Sequence, residues 1–484
     1  MELEDRISTF LDDILLMILS LLTFKEAVAT SILSRRWRYL WASLPILDFR
    51  FEYVLQHEDI HYRNFIRHCR LLEVYKDRFV EMVNQVPRFR KGQGLQEFGI
   101  HYPLEQSSSC HIDRWVAFAI AVGVSKLELN LSPYLSNCPR GWKNYSIPHD
   151  LFGRTNGMEQ LFGQLDRCFL SNPTSSLNVR NGFKYLKELS LKYVDLTDEH
   201  FEAILSSCTS LERLHLLKSN KLVSVKHTLP HTKLNFLEIY HCYNVEKVEI
   251  FAPNLVSFLY RGAKIHIFVK GAKQLVNLCM YSYSYWGEME YPHNNCLGLP
   301  YMQSKDFVFV QFAEYLSQLE HLTLDVGLFN DKEVFEKVPI LSNLKHLSLT
   351  SDNDYEGPFG VVSCYRTVVC LVKASPCLCR LDLHFALPPS KNPELRRIPM
   401  SPHKYLKEVL VSGFYGNELV MDLIMSISEF AIELQKIEIT MAFLGDLSRC
   451  PPIIVRDADV AKKSIGELHQ KLPADVQVCF LDDD

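Results

Sequence analysis

The stretch LEHLTL at residues 319–324 returns as LKHLSL at 344–349 and as LCRLDL at 378–383. In each copy apolar side chains stand at i, i+3 and i+5. The same phrase reads Leu186-Leu189-Leu191 in LKELSL, Leu211-Leu214-Leu216 in LERLHL and Leu234-Leu237-Ile239 in LNFLEI. It continues as Leu255-Phe258-Tyr260 and Leu275-Leu278-Met280, with looser copies at Leu406-Val409-Val411 and Leu434-Ile437-Ile439 and a candidate first copy at Val124-Leu127-Leu129. The middle residues 189, 214, 237, 258 and 278 are separated by 25, 23, 21 and 20 residues. A period of roughly 20 to 29 residues is that of a leucine-rich repeat. The step from 278 to 322 is 44 residues, two periods, and it holds the tyrosine-rich insertion YSYSYWGEMEYPHNN. Later steps of 25, 34, 28 and 28 residues are looser.

The last two apolar positions of each phrase alternate along a short strand and point inward, while their neighbours point outward. The return segment supplies the other wall. Two of these look helical: TDEHFEAILSSC carries Phe201, Ile204 and Leu205 at helical spacing, and KDFVFVQFAEYLSQL carries Phe312, Tyr315 and Leu316. One such unit cannot bury its apolar face alone, so the units are expected to stack. The expected fold is α/β: a curved solenoid with parallel strands on the concave face and helices or loops on the convex face. Its outward concave positions, read from the repeat register, include Lys192, Arg213, His215, Tyr240, Tyr281, His321, His346, Arg380 and His384. These are the candidate contacts to a protein substrate. His321 and His346 would lie on neighbouring strands about 4.8 Å apart. Such a pair admits a pH-sensing or metal-binding site, but a mixed polar surface for a protein partner is the reading taken. The insertion from Tyr281 to Tyr291 reads either as a cover over a pocket or as a plain exposed loop.

At 484 residues the chain is too long for one ordinary core. A net charge of −5, with 47% hydrophobic and 23% charged residues, gives no general attraction to phosphate. The acidic start MELEDR is unlike a signal peptide, and the apolar run Ile14 to Leu22 is about half a bilayer span. A soluble intracellular protein, nuclear or cytoplasmic, with no membrane partner is expected. The fourteen cysteines are scattered from Cys69 to Cys479, as in a reduced chain, and the sequons at Asn130 and Asn144 would then be silent. Cys377 and Cys379 form a lone CxC, and Cys110 adjoins His111; neither has a second ligand pair, so no metal is expected. GxxxxGK[ST], GxSxG, HExxH and GxGxxG do not occur, and neither a catalytic residue nor a cofactor is expected.

The first fifty residues follow another pattern. DDILLMILSLL sets Ile14, Leu15, Ile18, Leu19 and Leu22 along one helical face behind Asp12 and Asp13, which suit the positive end of a helix dipole. TFKEAVATSIL reads as a second short helix, and Ser34 as the cap of a third, ending near Pro45. That third helix holds LSRRWRYLW at 33–41, where Trp37 and Trp41 are four apart and Arg35, Arg36 and Arg38 fall mostly on other faces. Aromatic residues with arginine are what protein interfaces favour. A nucleic-acid surface would need more basic charge than the flanks LDDILL and LPILDF supply, and no nucleic-acid partner is expected. A plain core helix, with both tryptophans buried inside the chain, remains open. A unit of this size is expected to lean on a partner or on the repeats.

Residues 5–49, DRISTFLDDILLMILSLLTFKEAVATSILSRRWRYLWASLPILDF, resemble the F-box of plant F-box proteins with leucine-rich repeats. PHKYLKEVLVSGFYGNELVMDLIMSISEFAIELQKIEIT, at 402–440, resembles the C-terminal FBD-type segment of the same family. The resemblance implies four parts: an F-box at 1–50, a connecting segment and start of the solenoid at 51–114, the repeats at 115–395 and an FBD-like segment at 396–484. It also implies that the F-box binds a Skp-type adaptor, and through it a cullin, while the repeats hold a protein to be ubiquitinated. The adaptor-facing residues it implies are Phe10, Leu11, Ile14, Leu15, Ile18, Leu33, Ser34, Trp37 and Trp41. Some relatives hold a small hormone in the repeat bowl, and nothing in these residues selects that use. Two positions depart from the family: Leu11 and Thr23 stand where it usually has prolines that preset the backbone at the start of a helix. Three functional readings follow: a non-catalytic receptor subunit of a ubiquitin ligase, a ubiquitin-independent scaffold with a degenerate F-box, and an enzyme with a dispersed site in the bowl. The first is the reading taken.

Overall fold

Every one of the eleven apolar triples is buried, all three residues of each. The computed structural model describes residues 7, 10–51, 65–90, 94–133, 141–148, 183–227, 233–282, 306–325, 338–351, 358–385, 401–441, 458–473 and 475–481. They fall into two compact units, Met1–Asn244 and Val245–Asp484. In the first, β1 (Ile46–Arg50), β2 (Glu97–His101) and β3 (Lys126–Asn130) are followed by the strands Glu188–Lys192, Arg213–Leu217 and Phe236–Tyr240, each parallel to the one before it. In the second, eight parallel strands run from Ser257–Gly262 and Asn277–Ser282 through His321–Asp325, His346–Ser351, Arg380–Phe385, Glu408–Ser412 and Lys436–Thr440 to Gln477–Leu481. The register is uniform, so that Leu322, Leu347, Leu381, Val409 and Ile437 form one continuous row. Burying each such side chain contributes about 1.5–3 kcal/mol.

Return segments differ with repeat length. Among the described residues, three of the longer steps hold helices, at Asp198–Ser207, Pro358–Ala374 and Glu418–Phe430. Across the 20- and 21-residue steps the return segments are strands, Lys247–Phe251 and His266–Lys270, which pair parallel. A five-residue strand covers a distance that takes a helix about eleven residues, so a short repeat closes only in extended chain.

The expected helix in KDFVFVQFAEYLSQL is instead a π-turn at Asp306–Val310, a run of turns and a 3-10 turn at Leu316–Gln318. Phe312, Tyr315 and Leu316 are nonetheless buried. The polar side chains of this segment are spent on the neighbouring backbone. Gln311 accepts from the Ile267 amide at 2.5 Å and donates to the Ile265 carbonyl at 3.2 Å. The Tyr315 hydroxyl donates to Val269 at 2.8 Å, and Gln318 donates to Ala272 and Leu275, both at 3.0 Å. These bonds satisfy backbone groups along the His266–Lys270 strand and the turn after it, groups that a strand edge leaves free.

At the N-terminus, α1 (Asp12–Ser20) and α2 (Phe24–Ala29) are followed by 3-10 segments at Thr30–Ile32 and Trp37–Ser43. The third helix is thus 3-10, and Ser34 does not cap it: the capping position is Arg36, and the buried Ser34 Oγ has no hydrogen-bond partner among the described residues. The parallel strands begin in β1, at the end of the F-box-like stretch, well before the candidate first copy at Val124. Between β1 and β3 lie α3 (Phe65–Phe89) and α4 (Ser109–Val122), the latter ended by Gly123 at a left-handed φ of 75°. Among the described residues no helix is long and apolar enough to cross a membrane. Of the insertion from 281 to 291 only Tyr281 and Ser282 are among the described residues.

The two missing prolines leave both helix starts intact. Leu11 and Thr23 hold φ of −63° and −64° with ψ of 153° and 154°, the φ that a proline ring imposes. Thr23 adds a capping box: its amide donates to Glu26 Oε2 at 2.9 Å, and the Glu26 amide donates to Thr23 Oγ1 at 3.3 Å. The bonds that the Thr23 amide and, at 2.8 Å, the Thr23 hydroxyl donate to Glu26 Oε2 hold that carboxyl below its ordinary range. Thr23→Ala is expected to cost about 0.5–2 kcal/mol, whereas Leu11→Pro, at a backbone already in proline geometry, is expected to add about 0.4–1 kcal/mol; urea melts of the full chain measure both. Tyr315→Phe removes one bond along the strand edge and is expected to cost about 0.5–1.5 kcal/mol by the same measurement.

Candidate functional site

Two kinds of surface carry the candidate residues: the apolar N-terminal helices and the outward faces of the parallel strands. The helical part is tied together by Arg36, which donates to Asp12 Oδ1 from Nε at 3.0 Å and from Nη2 at 2.7 Å, and to the Phe10 carbonyl at 2.5 Å. Its core contains Leu15, Leu19, Ala27, Trp37, Leu40 and Trp41. Phe24 packs edge-on against Trp41 and Phe49, at centroid distances of 5.8 and 5.0 Å, and Phe49 meets Phe98 of β2 at 5.9 Å. Arg90, just past α3, donates to the carbonyls of Ala42 and Leu44 at 2.8 and 2.9 Å; burial lowers its guanidinium to about 10. Tyr39 and Phe89 stack at 3.6 Å. The unit therefore leans on α3 and the first strands, as its size requires.

The nine residues implied as adaptor-facing divide into inward and outward sets. Leu15, Trp37 and Trp41 are buried within this core, and the Trp41 indole N–H is satisfied by the Arg38 carbonyl at 3.1 Å. Ile18 and Ser34 are half-buried. Phe10, Leu11, Ile14 and Leu33 are exposed, Leu11 by 72% and Leu33 by 64%. Ile7, Met17, Leu21, Leu22 and Ile32, which the resemblance does not bring forward, are exposed as well, Ile32 by 88%. Twenty large apolar side chains are exposed among the described residues, and nine of them lie between residues 7 and 33. The sequence carries a signal for this: DDILLMILSLL is apolar on more than the one stripe that a surface helix needs. Of the three arginines in LSRRWRYLW, Arg36 is committed to Asp12, while Arg35 and Arg38 are exposed.

On the outward strand face of the first unit, charges pair across strands. Lys192 meets Glu128 at 3.1 Å, Lys126 meets Glu188 at 3.1 Å, and His215 Nδ1 meets Glu238 at 2.6 Å. Arg213 lies 3.8 Å from Glu188 with its guanidinium 4.4 Å from the Phe236 ring centre. Asp48 takes His101 at 2.8 Å and Arg50 at 2.7 Å; burial pushes its carboxyl up, but these two partners outweigh that and hold it below the ordinary range. Tyr240 is half-buried at the end of its strand.

In the second unit His321, His346, Arg380, Glu408 and Lys436 form one row across five strands. The two imidazoles meet edge-on, 5.6 Å between centres. His346 Nε2 bonds Asp382 at 2.8 Å, and Arg380 reaches Asp382 at 2.9 Å, Glu408 at 3.0 Å and Glu438 at 3.9 Å. Burial raises the Asp382 carboxyl, but the hydrogen bond from His346 and the charges of His346 and Arg380 bring it below its ordinary value. Burial, then the neighbouring His346, lowers His321. Among the described residues there is no group of three or more side chains able to hold a metal ion. His384 departs from expectation: it points to the outward side of its strand yet is buried, with Nδ1 2.7 Å from Ser412 Oγ. It belongs to a covered polar row, Asp325, Thr350, His384, Ser412 and Thr440, and is not reachable by a docking partner. Tyr281 is half-buried, with the Arg261 guanidinium 5.2 Å from its ring centre.

Comparison with known proteins agrees with this architecture. A family model described as "At1g61320/AtMIF1, LRR domain" matches residues 88–470, and an F-box domain model matches residues 7–49. The chain is 32% identical over 257 residues to the F-box/LRR-repeat protein At3g03360 of Arabidopsis thaliana, covering 52% of this chain and 47% of that one. It is 33% identical over 217 residues to the F-box/FBD/LRR-repeat protein At2g04230 of the same plant, covering 44% of this chain and 42% of that one. It is 25% identical over 321 residues to the F-box/FBD/LRR-repeat protein At1g13570, also of Arabidopsis thaliana, covering 66% of this chain and 62% of that one. The matched span is about half the length of the first of these relatives. An F-box match at residues 7–49 ahead of a leucine-rich-repeat match over residues 88–470, where the structure has its parallel leucine-rich strands, makes this chain a member of the plant F-box/LRR-repeat family.

Proposed function

We propose that the chain is the substrate-recognition subunit of a Skp-cullin-F-box ubiquitin ligase. The observation that carries this reading is the concentration of exposed large apolar side chains in residues 7–33, beside a core that buries both nearby tryptophans. Large apolar side chains left exposed in such number, on a unit whose core is already closed against its neighbours, mark a docking site for another protein. In this reading Phe10, Leu11, Ile14 and Leu33, with Met17, Leu21 and Ile32, contact a Skp-type adaptor and through it the cullin. Leu15, Trp37 and Trp41 act from beneath, holding those side chains in place.

The target protein would dock on the outward strand faces, with Lys192, Arg213, His215, Tyr240, Tyr281, His321, His346 and Arg380 as contacts. Their charges are already paired within the chain, which supports selection of a partner by pattern more than by net charge. The chain is non-catalytic in this proposal: thioester transfer to a lysine belongs to other subunits, and this one raises the concentration of its target beside them. The four-part division, F-box 1–50, connection 51–114, repeats 115–395 and FBD-like 396–484, belongs to the same proposal, as does a nuclear or cytoplasmic location.

The departures at Leu11 and Thr23 are what favour the second reading, a ubiquitin-independent scaffold. Co-expression with a plant Skp-type adaptor and size-exclusion chromatography separates the two. A one-to-one complex that is lost in Ile14→Asp/Leu33→Asp, with the melting temperature of the chain unchanged, is the expected result. A folded chain that elutes without the adaptor refutes the receptor reading and leaves the scaffold. Trp37→Ala is no control for this experiment, because emptying that buried site is expected to cost about 3–5 kcal/mol of folding stability.

A further inference from the structure

The described cysteines range from buried to exposed. Cys208 and Cys242 are buried, and burial pushes both thiols up to about 12. Cys377 and Cys379 are both exposed and two residues apart. Leu378 between them is the first apolar residue of the phrase LCRLDL and is fully buried. Both neighbours of this buried residue are exposed. Cys377 lies in a turn and Cys379 leads into the Arg380–Phe385 strand, with the Cys379 thiol 3.4 Å from the Cys377 carbonyl oxygen.

Two lysines flank this pair in the stack of repeats. The Cys379 amide donates to the Lys345 carbonyl at 2.8 Å, and the Lys407 amide donates to the Cys379 carbonyl at 2.9 Å. Three consecutive repeats thus set Lys345, Cys379 and Lys407 side by side, one position ahead of their strands. Lys407 is exposed, and Lys345 is exposed while paired with Glu320 at 2.9 Å. The charge of Lys345 is matched by Glu320, so Lys407 supplies the positive charge that favours the approach of an anionic reagent, and the pair has no third metal ligand among the described residues.

We propose that Cys377 and Cys379 form a dithiol site for thiol–disulfide exchange with a small anionic disulfide of the glutathione class. Cys379, as thiolate, attacks one sulfur of that disulfide; the old S–S bond breaks, a mixed disulfide forms on Cys379, and one thiol leaves with a proton from solvent. Cys377, as thiolate, then attacks the Cys379 sulfur and expels the second thiol, which also takes a proton. The protein dithiol has lost two electrons and two protons, and the small disulfide has gained them. The site is independent of adaptor docking, which involves residues far away in the sequence.

The test incubates the folded full chain with glutathione disulfide, alkylates free thiols and identifies each cysteine by mass spectrometry. The expected result is an internal Cys377–Cys379 disulfide in the wild type and a persistent glutathione adduct on Cys379 in Cys377→Ser, with Cys208 and Cys242 still reduced. Lys407→Glu is expected to slow the reaction several-fold at low salt, because it reverses one flanking charge. Cys110, exposed without a neighbouring cysteine, is the internal reference. The proposal is overturned if the pair reacts no faster than Cys110, or if the wild type stops at glutathione adducts without forming the internal disulfide. Serine at either exposed position should leave the melting temperature unchanged, which keeps a failure to react distinct from a failure to fold.

Discussion

The in-register stacking of apolar residues along parallel strands is the constraint on which the rest of this protein depends. A single LxxLxL strand has nowhere to put its inward pair; only the next strand, aligned residue for residue, supplies the other side. The rows that run through Leu322, Leu347, Leu381, Val409 and Ile437 show how strictly that alignment is kept. With the inward pairs fixed, the outward positions are fixed as well, and so is the distance that each return segment must cover. The shortest repeats meet that distance in extended chain and three of the longer ones in helix, so variation in repeat length is absorbed on the side away from the outward strand face.

The same alignment accounts for the chemistry of the outward faces. Residues at equal positions in successive repeats become neighbours, and at several positions they are of opposite charge or hydrogen-bonded to each other: Lys126 beside Glu188, His215 beside Glu238, Arg380 beside Glu408. Parallel strands would otherwise bring like charges together at every step. Most of the candidate contact residues are therefore engaged with neighbouring side chains of the chain itself. Half-exposed ion pairs of this kind add little stability, of order 0–1 kcal/mol each, which is consistent with a face shaped for recognition more than for holding the fold.

The N-terminal helices follow a different logic. They are too small to stand alone, and they close their core by borrowing Phe49 and Phe98 from the first strands and Arg90 from the end of α3. With the core closed, the leucines, isoleucines and methionine that remain outside serve no internal purpose. The substitutions at Leu11 and Thr23 keep the backbone angles of the prolines they stand in for, and Thr23 recovers through a capping box what it gives up in rigidity.

The repeat period, the apolar triples and the helical character of the N-terminal stretch were all legible in the amino-acid order, because each rests on contacts whose spacing is set within one repeat or one helical turn; the identity of that stretch came from its resemblance to a known family. Outward against inward was legible too, since alternation along a strand is local. What the order of residues did not settle is how deeply a given outward side chain would be covered, because that depends on what the neighbouring repeat brings, 20 to 34 residues away. His384 has the right parity for a contact residue and is buried; Trp37 and Trp41 have the right spacing for an interface and fill a core. Ser34 has the right chemistry for a cap and caps nothing, because the segment after it tightens into a 3-10 turn that starts at Trp37. Local spacing determined the elements and their faces; only packing between elements decided which of those faces meet solvent.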